Sequence, residues 1–409
     1  MKRKLAFQEE WYVYKRKLKA FFHSLSFYIC RVFPVNPRKI VMWTLEGKGS
    51  YGDSPKYIAE EIIKRDKNRK EKYEIIWLSD NPEEEFPTYV RSVRNSLWKR
   101  AYHLSTAAFW IGNTRTVYGT KKRRKTVYIQ TWHAIVGIKP IGKQRGNRLP
   151  RMARIVSEYD SDMIDYVLSG NEWSNKMWPD GLLYEGMIIQ TGVPRCDVLF
   201  HGKEQMHRKY RAKYNLPQEV SIILYAPTFR GGSQSGKRSV NADIGSLNFG
   251  ILIDALEHRF GGTWYIFLRL HPQVAEESHR IIEKEKTGRV VDVSRCADMN
   301  ELIAAGDVFL TDYSSSIFES ALMKQPGFLF VEDEEVYVKD RGELLFRLEE
   351  LPFPAARDME SLQQHIEMFD RAQYEVELEK LMEVLGMFED GMASSRVVDL
   401  IESITEKQN

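Results

Sequence analysis

The stretch Phe309-Leu-Thr-Asp-Tyr-Ser-Ser-Ser-Ile-Phe-Glu-Ser-Ala-Leu-Met323 joins an apolar strand to a helix through a loop of hydroxyl side chains. A helix N-terminus presents free N–H groups and a partial positive charge, and serine hydroxyls add further donors for a phosphate. An ordinary helix cap is the alternative, because Asp and Ser are common N-cap residues. One cap explains one residue, so we favour a phosphate site. Its predicted ligands are Thr311, Asp312, Ser314, Ser315 and Ser316.

Glu319 lies one turn into the helix that follows this loop. A carboxylate at such a place can accept hydrogen bonds from ribose hydroxyls, as in dinucleotide sites. It can equally be an exposed first-turn carboxylate that the helix dipole favours. Both interpretations stay open.

Short apolar strands alternate with helical patterns along the chain, and this alternation is typical of parallel sheets covered by helices. We therefore predict an α/β fold of two doubly wound domains, which suits a chain of 409 residues. The predicted strands are 40–43, 73–78, 108–111, 126–130, 166–168, 187–190, 221–225, 265–270, 290–293, 308–310 and 327–331. The predicted segments are a basic N-terminal segment, 1–39; two domains, 40–203 and 204–372; and C-terminal helices, 373–409, which pack back on either domain.

The N-terminal segment is basic and aromatic, although the whole chain has a net charge of only +3. Residues 1–39 hold ten Lys and Arg against two Glu, or about +8. Mixed basic and aromatic residues at helical spacing suit an anionic bilayer surface, and Arg16 and Lys17 are candidates to contact it. The alternative is a helix that packs on the protein and keeps a solvated basic face. The apolar run is too short and too polar to span a bilayer.

Two strand ends in the second half also carry groups that bind anions. Arg269 and His271 end the strand at 265–270 and share one face by the period of two. Arginine offers a fixed fork to phosphoryl oxygens, and histidine can donate to them or protonate a leaving group. Thr228 and Arg230 follow the strand at 221–225 and are typical of an anion-contacting turn. Ligands bind at this edge of parallel sheets.

A strand in the first half ends in Trp132 and His133. An imidazole beside a large apolar wall is a candidate general base. Basic residues flank this pair, including Lys139 and Lys143, and they predict an anionic acceptor or a membrane surface nearby. A solvated basic face is the alternative interpretation.

Missing motifs argue against P-loop ATPases, zinc hydrolases and α/β-hydrolases. The sequence has no Gly-x-x-x-x-Gly-Lys-Ser/Thr loop, no His-Glu-x-x-His, no Cys-x-x-Cys and no Gly-x-Ser-x-Gly. No cluster of metal ligands stands out, so the sequence assigns no metal site and no cofactor. Three cysteines far apart indicate a reducing compartment.

Six motifs together resemble the CDP-glycerol glycerophosphotransferase family, bacterial enzymes that build teichoic acid and related polymers. The motifs are Gly52–Tyr57, Gly192–Asp197, Gln130–Lys139, Ala226–Arg230, Arg269–Pro272 and Thr311–Ser315. The resemblance covers roughly residues 40–354. It implies a GT-B fold with the active site between two Rossmann-like domains, and a peripheral location at the cytoplasmic face of the membrane.

The resemblance also implies roles for residues. His133 would be the general base on the acceptor hydroxyl, whereas His271 and Arg269 would contact the donor pyrophosphate and support departure of CMP. The serine loop, Thr228 and Arg230 would hold phosphates, and Glu319 would reach the ribose. The implied partners are CDP-glycerol or another CDP-alditol, a lipid-linked saccharide or polyol-phosphate acceptor and an anionic membrane surface, without nucleic acid.

The chain departs from the family pattern in two places. Ala134 and Ile135 stand where the family usually has Gly and Thr, which predicts a reshaped acceptor pocket. Glu319 stands where many members have Asp. A GT-B glycosyltransferase using a nucleotide-diphosphate sugar, and a non-catalytic module that binds anionic polymer or membrane, remain alternatives.

Overall fold

The computed structural model describes residues 2–45, 49–66, 72–81, 85–228, 230, 246–270, 278–283 and 285–408. These residues form two parallel sheets, one from each half of the chain, with helices between most successive strands. The predicted arrangement of two parallel sheets is therefore confirmed. The domain boundaries stay predictions.

The first sheet has seven strands among the described residues, in the order β3-β2-β1-β4-β5-β6-β7. The strands are β1 (Asn36–Trp43), β2 (Glu74–Ser79), β3 (Val90–Arg94), β4 (Ala107–Gly112), β5 (Val127–Gln130), β6 (Tyr166–Ser169) and β7 (Met187–Gln190). The helices of this half are α1 (Lys2–Cys30), α2 (Asp53–Asp66), α3 (Leu97–Ser105), α4 (Arg151–Ser161) and α5 (Glu172–Leu182).

The second sheet has six strands among the described residues, in the order β10-β9-β8-β11-β12-β13. The strands are β8 (Ser221–Tyr225), β9 (Trp264–Leu268), β10 (Val290–Asp292), β11 (Val308–Thr311), β12 (Gly327–Phe330) and β13 (Ala355–Ala356). The helices are α6 (Asp197–His201), α7 (Lys203–Lys213), α8 (Phe249–Phe260), α9 (Ser278–Glu283), α10 (Met299–Ala305), α11 (Ser316–Leu322), α12 (Glu334–Arg341), α13 (Met359–Glu367), α14 (Arg371–Leu385) and α15 (Ala393–Gln408).

The central strands of both sheets are continuous apolar runs because helices cover both of their faces. All six residues of β4 and all four of β11 are buried. The C-terminal helices pack on both halves. Tyr374 and Leu378 of α14 join the core of the second half, whereas Val397 and Ile401 of α15 join the core of the first.

Helix α1 lies against the first half and is held by loop carbonyls. The Ser24 hydroxyl donates to the carbonyl of Gly119 at 2.8 Å, and His23 Nδ1 donates to that of Tyr118 at 3.1 Å. A Cβ at Gly119 would stand 2.4 Å from the Ala20 carbonyl oxygen, so this close approach requires glycine. Among the described residues, no helix is long and apolar enough to cross a bilayer.

Candidate active site

A cleft of about 270 Å³ lies between the carboxyl ends of the two sheets. Side chains from both halves line it, as expected for ligands of parallel sheets. The lining residues include Asp53, His133, Lys139 and Arg195 from the first half and its connection, and Thr228, Arg269, Asp298, Asn300, Ser314, Ser315, Ser316 and Tyr337 from the second.

His133 enters the cleft from the loop after β5. Its Nδ1 lies 2.9 Å from the carbonyl oxygen of Asn113. A carbonyl only accepts hydrogen bonds, so Nδ1 carries the proton and Nε2 of the neutral ring keeps its lone pair. This is the tautomer that a general base at Nε2 requires.

Trp132 positions His133 rather than lining the cleft, so the predicted acceptor contact of Trp132 receives no support. Its backbone has φ = 54°, a conformation that is costly for a bulky residue. Its side chain is 7% exposed, and the centroid of its ring lies 4.3 Å from the centroid of the His133 imidazole. The Gln130 carboxamide oxygen accepts a hydrogen bond from the Trp132 N–H at 3.0 Å and fixes this turn.

Three serines of the loop after β11 lie in the cleft, as the sequence predicts for phosphate ligands. The Ser314 hydroxyl donates to Ser316 Oγ at 3.2 Å and accepts from the Ser316 N–H at 3.3 Å. Ser315 caps α11 without a side-chain hydrogen bond to the helix. The Ser315 hydroxyl is therefore not used as a cap.

Two other loop residues have structural partners instead of facing the cleft. The buried Thr311 hydroxyl donates to the carbonyl of Ala226 at 2.6 Å. The Asp312 carboxylate is also buried and accepts from the N–H and the hydroxyl of Thr228, each at 3.0 Å. A buried carboxylate would repel a phosphate rather than bind it, so Asp312 is corrected from a phosphate ligand to an anchor for the β8 end.

Arg230 is held in a half-buried ion network. It donates to Asp333 through Nε at 2.6 Å and Nη2 at 3.0 Å, and to Asp312 through Nη1 at 2.7 Å. These partners raise the pKa of the guanidinium against the effect of burial. Arg230 was predicted to contact phosphate, but its fork is occupied. The Thr228 hydroxyl lies in the cleft wall and already donates to Asp312.

Arg269 and Lys139 are the cations that face the cleft without a carboxylate partner among the described residues. The Arg269 guanidinium makes one long contact, at 3.4 Å, to the carbonyl of Cys296, and its Nε has no hydrogen-bond partner there. Lys139 Nζ lies 5.9 Å from the ring of Tyr337. Lys139 therefore reaches towards the second half, where the serine loop lies. His271 lies outside the described residues.

Glu319 lies behind the cleft wall. It is 1% exposed and accepts a hydrogen bond from Nη2 of Arg195. Arg195 also donates to Asp53 at 2.9 Å. Both interpretations of Glu319 from the sequence, the ribose ligand and the exposed carboxylate, are corrected by this pairing, because the carboxylate does not reach the cleft surface.

A second ion network joins the two halves, next to the network that Arg195 forms with Asp53 and Glu319. Lys56 of α2 donates to Asp298 at 3.1 Å and to Glu301 at 2.5 Å, and all three side chains are buried. Asn300 donates to the carbonyl of Arg195 at 3.0 Å. The motifs Gly52–Tyr57 and Gly192–Asp197, to which the sequence assigned no role, thus build the contact between the halves.

The remaining predicted residues lie elsewhere. Lys143 is exposed and pairs with Asp180 at 3.5 Å. Arg16 and Lys17 lie on α1. Ile135 is buried in the core of the second half, so the departure from the family pattern at this position does not face the acceptor side of the cleft.

The model of the CDP-glycerol:poly(glycerophosphate) glycerophosphotransferase family matches residues 25–403. The chain belongs to this family. It is 29% identical over 386 residues to a teichoic acid poly(glycerol phosphate) polymerase of Staphylococcus epidermidis, which covers 91% of this chain but only about half, 52%, of the relative. It is 25% identical to a polymerase of the same description from Bacillus spizizenii, over 94% of this chain and 97% of the relative.

The family is also represented among solved structures. The wall teichoic acid polymerase TagF matches with a TM-score of 0.78 and 26% identity, over 97% of this chain and 98% of that chain. TagF has also been solved after soaking with CDPG. The predicted GT-B-like fold class and the predicted family are thereby confirmed.

Proposed function

We propose that this chain transfers an alditol phosphate from a CDP-alditol to a hydroxyl of a teichoic-acid-type acceptor and releases CMP. Glycerol phosphate is the favoured alditol phosphate. The observation that carries the proposal is His133, whose Nε2 lone pair is available in the same cleft as three serine hydroxyls and two cations without carboxylate partners among the described residues. A base on one side and phosphate ligands on the other are the parts that this reaction needs.

The transfer needs one proton acceptor and one leaving group. The acceptor oxygen forms a bond to the phosphorus on the alditol side of the donor, and its proton passes to Nε2 of His133. The bond between that phosphorus and the bridging oxygen breaks, and CMP leaves with the electron pair. Arg269 and Lys139 lie where they can stabilise the charge that develops on the phosphoryl oxygens.

The acceptor side is proposed to meet a membrane surface, at the cytoplasmic face. Helix α1 exposes large apolar side chains, and α3 continues them with Leu97 and Trp98. Basic side chains lie among them, which suits an interface with anionic lipids. Within residues 9–30 of α1, the large apolar side chains that are exposed are Trp11, Tyr12, Tyr14, Leu18, Phe21, Phe22, Leu25, Tyr28 and Ile29. A lipid-linked acceptor would be presented at this surface.

A donor panel tests the proposed function. Wild type and His271→Ala are incubated with CDP-glycerol, CDP-ribitol or a UDP-sugar in the presence of lipid-linked acceptor, and CMP or UDP is measured. Acceptor-dependent CMP release from one CDP-alditol, lost in His271→Ala, supports the proposal and names the donor. Turnover of the UDP-sugar alone would replace it with a glycosyltransferase. Lipid binding without any turnover would indicate a binding module.

A further inference from the structure

A second cavity, of about 330 Å³, lies between α1, α3 and the loop at residues 117–118, in the half of the chain that carries the proposed membrane surface. Its volume lies within the range of small-molecule sites, about 300–1,000 Å³. We name it the α1–α3 pocket. Its lining residues are Arg16, Lys19, Ala20, Phe22, His23, Leu97, Arg100, Val117 and Tyr118.

The pocket is cationic, since Arg16, Lys19 and Arg100 line it and, among the residues that the structure describes, no acidic side chain does. Within the described part of the chain, none of the three cations forms an ion pair. The Arg100 guanidinium donates only to the Asn95 side chain at 2.7 Å and its carbonyl at 3.2 Å. Lys19 is exposed, but Arg16 and Arg100 are partly buried, and partly buried cations are costly unless an anion joins them.

One buried donor of the pocket residues, the Nε–H of Arg16, has no hydrogen-bond partner among the described residues. Buried polar groups are normally paired, so this donor needs an explanation. Burial lowers the pKa of His23, and the nearby Arg100 and Lys19 lower it further, although its bond to the Tyr118 carbonyl opposes this. Burial also lowers the pKa of Arg100. Burial thus disfavours the charged form of Arg100, which a bound anion would stabilise.

The rim of the pocket is apolar and exposed. Phe22 is 60% exposed, Leu97 43% and Val117 45%. A free anion would leave these side chains in water, whereas a lipid would cover them with its chains while its phosphate lies among the cations. The rim thus distinguishes a lipid from a soluble anion.

We propose that the α1–α3 pocket binds the phosphate group of an anionic membrane lipid. Arginine suits a phosphate because its planar fork donates to two oxygens. The proposal rests on the proposed membrane surface and adds a defined headgroup site to it. Bound lipid would fix α1 and α3 at the bilayer with the cleft at a set orientation to the surface.

Vesicle flotation of the full chain tests this site with pairs of adjacent residues. Arg16→Gln is compared with Lys17→Gln on α1, and Arg100→Gln with Lys99→Gln on α3, because Lys17 and Lys99 are exposed and do not line the pocket. On phosphatidylcholine vesicles with phosphatidylglycerol, we expect the control variants to bind about fivefold more weakly. We expect the pocket variants to bind about tenfold to a hundredfold more weakly.

Further arms identify the ligand and separate the two proposals. With cholesteryl hemisuccinate in place of phosphatidylglycerol, we expect each pocket variant to match its control. Equal losses within each pair on phosphatidylglycerol would overturn the pocket assignment, and Arg16→Gln keeps the test valid if Arg100→Gln disturbs α3. If the wild type bound no vesicles, the proposed membrane-binding surface on α1 and α3 would itself be refuted. Binding of inorganic phosphate is measured by calorimetry. If Arg16→Gln loses this binding while each pocket variant binds vesicles as well as its control, the ligand of the pocket is a free anion instead.

Discussion

Arg195 donates hydrogen bonds to Asp53 and Glu319 at once, so one buried guanidinium joins carboxylates from the two halves of the chain. Asp53 begins α2 at a backbone φ of 55° and also lines the cleft. The donor side and the acceptor side of the cleft are therefore held together by charges in its wall and directly behind it. This contact turns two separate sheets into one site.

Removing the carboxylate of Glu319 should destabilise the fold rather than weaken donor binding. Breaking a buried ion pair costs about 3–5 kcal/mol, because the partner charge stays buried. We expect Glu319→Gln to lose free energy of unfolding in this range, measured by denaturant titration. Glu379→Gln, in an exposed pair with Lys324, is the control and should leave the free energy of unfolding nearly unchanged. Unchanged stability with weaker CDP-glycerol binding would restore the ribose contact.

Lys56 should also contribute to stability, because it too forms buried ion pairs between the two halves. Lys56→Met leaves Asp298 without its ammonium partner and Glu301 with fewer donors, so we expect a loss of about 3–5 kcal/mol. Lys64→Met, on the same helix but in an exposed pair with Glu61, should cost about 1 kcal/mol or less. Equal stability of the two variants would show that the second network does not hold the halves together.

Substitution of Arg269 and of Arg230, both predicted from the sequence to contact phosphate, should have different effects on donor binding and on stability. Arg269 has no carboxylate partner among the described residues, so Arg269→Gln should weaken CDP-glycerol binding about tenfold to a hundredfold with little change in stability. Arg230 is bound by Asp312 and Asp333, so Arg230→Gln should mainly lower stability. Calorimetry and thermal unfolding of both variants measure this, and a reversed pattern would contradict the assignment.

Glu389 should make stability fall as pH rises. Its carboxylate accepts the Val193 N–H at 2.9 Å and lies so close to Gly170 that a Cβ there would overlap it. Burial raises the pKa of Glu389 to about 8 from 4.5. Between these values the unfolded chain has lost the proton and the folded chain keeps it.

The contribution of Glu389 is thus fully present below about pH 4.5 and is lost as pH rises towards 8. Its slope is at most about 1.4 kcal/mol per pH unit. We expect Glu389→Gln to flatten the dependence of the free energy of unfolding on pH in this window, measured by denaturant titration at several pH values. A wild type and variant with parallel pH profiles would refute the shift.

The strand ends could be predicted from sequence because a parallel sheet places its chemistry at one edge. His133, Arg269 and the serines meet in the cleft for this reason. The strand Val90–Arg94 was missed because it is an edge strand with three polar positions in five, and Ala355–Ala356 because two residues carry no pattern.

The ion-pair partners of Arg230 and Glu319 could not be predicted from the sequence for a different reason. Their partners, Asp333 and Arg195, lie 103 and 124 residues away in sequence. Local spacing identifies a charged side chain at a strand end, but it does not show whether the fold supplies a counter-charge. Only the packed structure separates a paired arginine such as Arg230 from an available one such as Arg269.

The central claim is that Nε2 of His133 accepts the proton of the acceptor hydroxyl. The most direct measurement is acceptor-dependent CMP release by His133→Ala under saturating CDP-glycerol, with donor affinity measured in parallel by calorimetry. We expect kcat to fall by about 10²–10⁴ while the Kd of the donor stays within about twofold of wild type. Wild-type kcat in His133→Ala, with donor affinity intact, would contradict the account.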